Sequence, residues 1–339
     1  MSGRDRRTGS LRGLSLLAVA LWGTFPSGAS SSVISGRVTD AATGDGIDGL
    51  PVRLGGVADT TRYGGRFRVE SAGTGGLVVD GAGSGYSAFL LEPFAAPRDT
   101  SLTIPMIPLG PLKSGDYRNL LHLLKMMTGT GEPGRRAQED VSISYESSPR
   151  TTVLRRWEGL PIRIHVPPRS ARGFSWDELV RRAMGRWEER TGLTLFAEVE
   201  KAEEAQVRVG YAGGYSRVVF ERAAPGGIPV LASMWMSPVL DEPRDVQSAA
   251  EHELGHILML LVHSEDPGHV MYWGGSRGRG VTNDEALVVR CLYGLPNLTD
   301  MGVYLEEAPM SSKLIERKRV LAVVLIQAMV ALFVILSAH

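Results

Sequence analysis

The sequence predicts an α+β chain with a strand-rich first part, a mixed second part and an apolar C-terminal segment. Short alternating apolar segments separated by glycine fill residues 33–108. Strand-like and helix-like segments alternate over residues 157–300, and residues 320–338 are almost wholly apolar. A chain of 339 residues is long enough for two ordinary domains.

The composition narrows the classes of function. The 37 basic and 37 acidic residues give no net charge, so a nucleic-acid partner is not predicted. Cys291 is the one cysteine of the chain, which excludes an intrachain disulfide and argues against a thiol-based latency switch. We expect Cys291 to be a small core residue.

Residues 1–29 are predicted to be an export signal. Arginines precede a short apolar run at 14–22, and Ser27, Gly28 and Ala29 offer a small-residue cleavage site. An uncleaved N-terminal anchor is the alternative.

Residues 320–338 (VLAVVLIQAMVALFVILSA) are predicted to be a transmembrane helix, because 19 residues with one polar interruption, Gln327, can cross a bilayer. A buried helix is the alternative. The charge bias of membrane proteins would place the basic residues before this helix, Arg317, Lys318 and Arg319, in the cytoplasm. An export signal would instead place the residues before the helix outside, so its orientation stays open. The predicted location is exported and membrane-anchored, at the cell surface or in the periplasm.

Residues 33–108 are predicted to be β-structure. The segments VISGRVTD, LPVRLGG, GRFRVES, GLVVDGAG and TSLTIPMI have strand composition, and TGDG and YGG mark turns. The order SGRVTDAATGDGIDGLPVRL, GGRFRV and GSGYSAF resembles the carboxypeptidase regulatory-like domain. That resemblance implies a small all-β sandwich that packs or binds without chemistry of its own.

Residues 109–156 are predicted to connect two domains. YRNLLHLLKMM, residues 117–127, has helical spacing of its apolar residues, which predicts a docked helix. His122 on this helix is predicted to be a surface or capping histidine and not a ligand. Residues 128–150 are rich in Gly, Pro, Ser and charge, which indicates a linker.

Residues 157–300 are predicted to form a mixed domain. LPIRIHV, LTLFAEV and AQVRVGY are predicted strands, and a helix is predicted to begin near Ser175. Residues 228–239 (IPVLASMWMSPV) are extended in character. Thr282 and Glu285 form a capping-box pattern before the last helix.

The segment 251–272, EHELGHILMLLVHSEDPGHVMY, contains the candidate chemistry. His252, Glu253 and His256 form the pattern H-E-x-x-H. Residues four apart lie on one face of a helix, so both imidazoles can reach one metal ion, with Glu253 on the adjoining face as a base. Paired helix histidines are otherwise merely solvated or hydrogen-bonded, and Met271 alone is more often a core residue.

HELGH, then HS at 263–264, DP at 266–267 and VMY at 270–272 resemble the metzincin metalloproteases, in particular the matrixins. The resemblance covers about residues 157–296 and implies a metzincin-like zinc protease domain with a mixed sheet and an active-site helix. It implies Zn²⁺ ligands at His252, His256 and His263, a catalytic Glu253 and a turn containing Met271. It also implies that the strand at 228–239 lies along the cleft and pairs with substrate, the alternative being an ordinary edge strand.

Two departures from that family pattern concern the third ligand. Met259 stands where the family has glycine, and the third histidine comes one residue late. Glycine takes a left-handed conformation there that methionine adopts poorly. If the helix continued, His263 would lie about 10 Å farther along its axis. We therefore expect the chain to bend by another route, or else His269 or Asp266 to be the third ligand.

The predicted function is that of an exported, membrane-anchored zinc endopeptidase that acts on a protein or peptide substrate. The alternatives are a non-catalytic protein that holds zinc, and an adhesion or scaffold protein with a degenerate metzincin site.

Overall fold

The computed structural model describes residues 32–71, 75–94, 100–110, 112, 117–130, 141–143, 152–171, 173–273 and 280–306. The predicted signal at 1–29 and the predicted membrane span at 320–338 lie outside these residues, as does most of the predicted linker. All of the described residues belong to one unit, which spans residues 31–339.

Most predicted strands and helices of the described part form where the sequence places them. The helices are α1 (Leu120–Met127), α2 (Trp176–Thr191), α3 (Pro243–Ile257) and α4 (Asn283–Gly294). The strands are β1 (Ser32–Asp40), β2 (Pro51–Leu54), β3 (Val57–Thr60), β4 (Arg66–Ser71), β5 (Gly75–Val79), β6 (Ala88–Phe94), β7 (Thr100–Met106), β8 (Val141–Ile143), β9 (Ile162–His165), β10 (Ser170–Ala171), β11 (Phe174–Ser175), β12 (Phe196–Glu198), β13 (Val207–Gly210), β14 (Arg217–Ala224), β15 (Ile228–Trp235) and β16 (Tyr304–Leu305).

The first part of the chain forms two sheets around a shared core. One has the order β4-β1-β7, and the other is antiparallel with the order β16-β6-β5-β2-β3. Alternate residues of the strands are buried in one cluster that includes Ile34, Val52 and Leu77. The edge strand β16 comes from the far end of the described chain, and the Tyr304 hydroxyl donates to the Pro105 carbonyl at 2.9 Å.

The second part contains a six-stranded mixed sheet with the order β12-β9-β13-β15-β14-β8. All of its neighbouring pairs are parallel except β14 with β15. Helix α3 packs on β14, β15 and α2, while α4 packs on α2 and α1. The strands bury residues such as Val207, Phe220 and Met234 in one core with the helices.

The expected place of the strand at 228–239 is wrong. That segment forms β15, which pairs with β13 on one side and β14 on the other, so it is an interior strand. Strand β14, RVVFERAA, was not predicted, and it occupies the position beside β15. Its own outer edge pairs over Val218–Phe220 with β8, which lies inside the predicted linker.

The predicted fold class is also wrong. We expected a metzincin-like α+β domain, preceded by a small all-β sandwich and followed by a transmembrane helix. The described residues instead form four sheets with only four α-helices, and β16 joins the last described residues to the first part of the chain. Strand pairing between distant segments caused this difference, and local sequence patterns do not encode such pairing. The boundaries predicted at 33–108, 109–156 and 157–300 remain predictions.

The prediction of membrane anchoring is wrong for the part of the chain that the structure describes. Among these residues no helix has both the length and the apolar character that a bilayer crossing requires. The longest, α2, has 16 residues and carries several charges.

Candidate metal centre

Helix α3 carries the H-E-x-x-H residues in a buried position. Pro243 occupies the first turn, where its missing N–H group costs nothing. The exposed fractions of His252, Glu253 and His256 are 9%, 3% and 0%. The helical spacing predicted from the sequence is therefore present, and this face of α3 points into the molecule.

The helix ends in a left-handed turn at Met259. The φ angle of Met259 is 73°, and the Leu260 N–H donates to the Gly255 carbonyl at 3.0 Å while the Met259 N–H donates to the His256 carbonyl at 2.9 Å. This is the hydrogen-bond pattern of a Schellman motif, which glycine normally closes.

The expectation that the chain bends by another route is therefore wrong, because Met259 itself takes the glycine conformation. A left-handed conformation costs a residue with a side chain about 1–2 kcal/mol. The Met259 side chain is only 1% exposed. Complete burial of such a side chain contributes about 1.5–3 kcal/mol, which offsets the backbone cost.

Two backbone hydrogen bonds hold the segment after the turn. The Val262 N–H donates to the Met127 carbonyl of α1 at 3.0 Å, and the Ser264 N–H donates to the Met271 carbonyl at 2.7 Å. They fix the chain on both sides of His263, so the segment brings this histidine back over α3.

The three histidines meet through their Nε2 atoms. The Nε2 of His263 lies 3.1 Å from that of His252 and 3.2 Å from that of His256. The three could hold one metal ion, since a ligand atom of each lies within 4.8 Å of the others. Tetrahedral ligands of zinc at about 2.0–2.1 Å are roughly 3.3 Å apart, so the donor set fits the ion.

The alternative third ligands do not join this group. His269 uses Nδ1 in a 2.7 Å hydrogen bond with Ser264 Oγ, and Asp266 Oδ1 accepts from the Gly268 N–H at 2.6 Å. Of the candidates weighed from the sequence, the structure brings His263 to the other two histidines.

Backbone carbonyls fix the tautomers of the two helix histidines. His252 Nδ1 lies 2.8 Å from the Val270 carbonyl, and His256 Nδ1 lies 2.7 Å from the Leu260 carbonyl. Because a carbonyl can only accept, Nδ1 carries the proton in each neutral ring and Nε2 keeps a lone pair. Such outer hydrogen bonds orient histidine ligands in metal sites.

Burial also favours the ligand form of the imidazoles. It lowers the pKa of His256 well below the ordinary value, with further lowering from His252 and His263. Burial lowers the pKa of His263 too. Both rings are therefore kept in the neutral form, which is the form that binds a metal.

A side chain of α4 forms a hydrogen bond with the turn that contains Met271. The Met271 N–H donates to Glu285 Oε1 at 2.9 Å, while Glu285 Oε2 accepts from the N–H and hydroxyl of Thr282. The predicted capping box is confirmed. Burial raises the pKa of the Glu285 carboxyl. The sequence indicated the cap of Glu285 and gave no sign of its bond to the Met271 turn.

Several residues that support α3 were not recognised as part of the site. The indole N–H of Trp187 donates to the Glu251 carbonyl at 2.8 Å, and that of Trp157 donates to the Ile257 carbonyl at 2.7 Å. The Glu251 side chain, 1% exposed, pairs with Arg186 at 3.0 Å. Nothing in the local sequence indicated that the two tryptophans bond to α3, or distinguished Glu251 from a surface acid.

Comparison with known proteins gives no family. No known protein family matches the chain, and no curated protein matches it either. Among solved structures, one match is a C-terminal interface mutant of a type II cohesin–X-dockerin complex from Acetivibrio cellulolyticus. It is 18% identical, covers 29% of this chain and 73% of that chain, and has a TM-score of 0.20, which is too low to indicate a common fold.

Proposed function

We propose that this protein is a zinc-dependent endopeptidase, in which His252, His256 and His263 hold the metal and Glu253 is the general base. The observation that carries the proposal is the approach of three imidazole Nε2 atoms around α3, with the buried Glu253 following His252 directly on the same helix. The resemblance of HELGH, HS, DP and VMY to the metzincins supports the same assignment.

The donor set favours a catalytic over a purely structural zinc site. Imidazole ligands suit zinc, and structural zinc sites are closed by four protein ligands. Within the described residues the group contains three histidines and no fourth His, Cys, Asp or Glu. His263 is only partly buried, so the group of three histidines is not fully enclosed by the described residues.

Zinc at this site would supply polarisation of the scissile carbonyl and a lowered pKa for the attacking water. Glu253 accepts the proton of that water as its oxygen adds to the carbonyl carbon. The same carboxyl then donates the proton to the leaving amine when the C–N bond breaks. The carbonyls of Val270 and Leu260 keep the two helix imidazoles oriented throughout.

The test is Glu253→Gln, which keeps the size of the side chain and removes the base. We expect bound zinc to remain at one per chain while cleavage of an unfolded general protein substrate falls by about 10²-fold or more. Glu189→Gln, at an exposed acid on α2, is the control and should cleave normally. Equal activity of Glu253→Gln and the control would contradict the assignment.

A second candidate is a non-catalytic protein that holds zinc and binds a protein partner. The observation in its favour is the sheet beside α3: β15 is paired on both sides, and the outer edge of β14 is paired with β8. A peptide substrate therefore could not add to β15, and residues 218–220 of β14 are also already paired. Bound zinc with no cleavage by the wild-type protein, and no effect of a chelator on substrate, would favour this candidate.

A further inference from the structure

Tyr117 makes direct contacts with the segment that carries the third histidine. Its hydroxyl lies 3.0 Å from Ser264 Oγ and accepts from the Glu265 N–H at 3.0 Å. Tyr117 and Ser264 are 147 residues apart in the sequence. The tyrosine precedes α1 and so belongs to the part of the chain predicted to be a connector.

The ring of Tyr117 extends this contact to His269. The two rings are stacked, with centroids 5.9 Å apart and an interplanar angle of 12°. Ser264 Oγ in turn lies 2.7 Å from His269 Nδ1. Tyr117, Ser264 and His269 therefore form one small network immediately after His263.

The last residue of α1 bonds to the chain just before His263. The Met127 carbonyl accepts from the Val262 N–H at 3.0 Å, one residue before His263. The residues on either side of His263 are thus bonded to the two ends of one short segment, 117–127. His252 and His256 do not need such support, because α3 itself fixes their spacing.

We infer that Tyr117 is a positioning residue for the third metal ligand, and that the segment 117–127 is a structural part of the metal centre. This inference rests on the proposed binding of zinc by the three histidines. His263 is the ligand that lies off the helix, so its place depends on the bonds that hold residues 262–265. Loss of a group hydrogen-bonded to a metal ligand typically weakens metal binding by about 10–100-fold, and Tyr117 acts one bond farther out, through Ser264 and Glu265, so we expect the lower end of that range.

The experiment compares Tyr117→Phe with the wild-type protein and with Tyr86→Phe. Phenylalanine keeps the ring that stacks on His269 and removes only the hydroxyl. Tyr86 is a matched control, because its hydroxyl donates to Asp40 at 2.9 Å in the first part of the chain, away from the histidines. Zinc affinity is measured by competition with a chelating dye, and the visible spectrum of the Co²⁺-loaded protein reports ligand geometry.

We expect Tyr117→Phe to bind zinc about 10-fold more weakly than Tyr86→Phe and to change the Co²⁺ spectrum, while both metal-free variants melt at similar temperatures. Ser264→Ala removes the other half of the contact and should shift the affinity in the same direction. Amide exchange at Glu265 should also be faster in Tyr117→Phe, since this N–H loses its acceptor.

Wild-type zinc affinity and an unchanged Co²⁺ spectrum in both Tyr117→Phe and Ser264→Ala would overturn the inference, even if amide exchange at Glu265 were faster. A wild-type protein that bound neither Zn²⁺ nor Co²⁺ would refute it together with the zinc site. Failure of the peptidase proposal is distinct: it would appear as normal metal affinity in the wild type without cleavage of substrate.

Discussion

The sulfur of Met271 lies against the backbone of Gly255, the residue just before the second helix histidine. A methyl group added to Gly255 would be 2.2 Å from Met271 Sδ and 3.2 Å from the Trp187 ring. Met271 is fully buried, so its side chain cannot move out into solvent to make room. The Met271 turn therefore packs closely against α3.

Gly255→Ala should destabilise the protein by about 1–3 kcal/mol, because overpacking a full core forces side chains or backbone to shift. Gly185→Ala in α2 is the matched control, since a methyl group there meets nothing within 4 Å. Alanine is the better helix former, so the control should gain about 0.5–1 kcal/mol. Urea unfolding of the metal-free proteins measures both, and equal stability of the two variants would contradict the packing.

The left-handed turn at Met259 predicts an order of stability among three proteins. Met259→Ala loses the buried side chain and keeps the strained backbone, whereas Met259→Gly loses the side chain and relieves the strain. Both should be less stable than the wild type. The free energy of unfolding of the glycine variant should be about 1–2 kcal/mol higher than that of the alanine variant. Thermal unfolding tests the order, and an alanine variant as stable as the glycine variant would show that Met259 is not strained.

Replacement of the buried Glu251 carboxylate should cost more stability than loss of a surface ion pair, even though burial outweighs Arg186 and raises the pKa of Glu251. The Glu251 side chain is 1% exposed and also accepts from Gln247 at 2.9 Å, so Glu251→Gln should cost about 1–3 kcal/mol. Glu178→Gln removes a pair with Arg182 in which both side chains are about two-thirds exposed, and it should cost no more than about 0.5 kcal/mol. Similar losses of unfolding free energy in the two variants would contradict a structural role for Glu251 beside the site.

Asp177 predicts an acid-dependent loss of stability. Burial alone would raise the pKa of its carboxyl, but hydrogen bonds from Ser175, the Arg169 N–H and Arg181 outweigh burial and hold the pKa well below its usual range. As the pH falls, the unfolded chain therefore takes up the proton before the folded protein does. The charged Asp177 stabilises the fold fully above the ordinary pKa of 3.8, and this contribution is lost as the pH falls toward the pKa of the folded protein.

Comparison of the wild-type protein with Asp177→Asn tests whether this stabilisation is lost at low pH. The stability advantage of the wild type should be constant near pH 5 and shrink steadily toward about pH 2. A difference that does not change with pH over this range would mean that Asp177 is not held as the charged carboxylate.

The parts of this molecule that depend on local pattern could be predicted from its sequence. The helical spacing of His252 and His256, the helix that begins at Trp176 and the cap of Thr282 on Glu285 all follow from residues within one turn of each other. These features need no knowledge of the rest of the chain.

The features that sequence reasoning missed depend on contacts between distant residues. Strand β14 was overlooked, and β15 was consequently given an edge position that β14 and β13 exclude. The left-handed Met259 contradicts the preference of a methionine, because burial of its side chain in the core outweighs that local preference. Tyr117 gave no signal, since its partners at Ser264 and Glu265 lie far along the chain.

The most direct measurement is the metal content of the purified protein and of its three single variants, His252→Ala, His256→Ala and His263→Ala. We expect elemental analysis to find one zinc per wild-type chain and to find it lost or greatly reduced in each variant. His165→Ala is the control and should keep its zinc, because His165 lies on β9 and does not belong to the group of three histidines. A wild-type protein without bound transition metal, or variants that retain it in full, would contradict the metal centre.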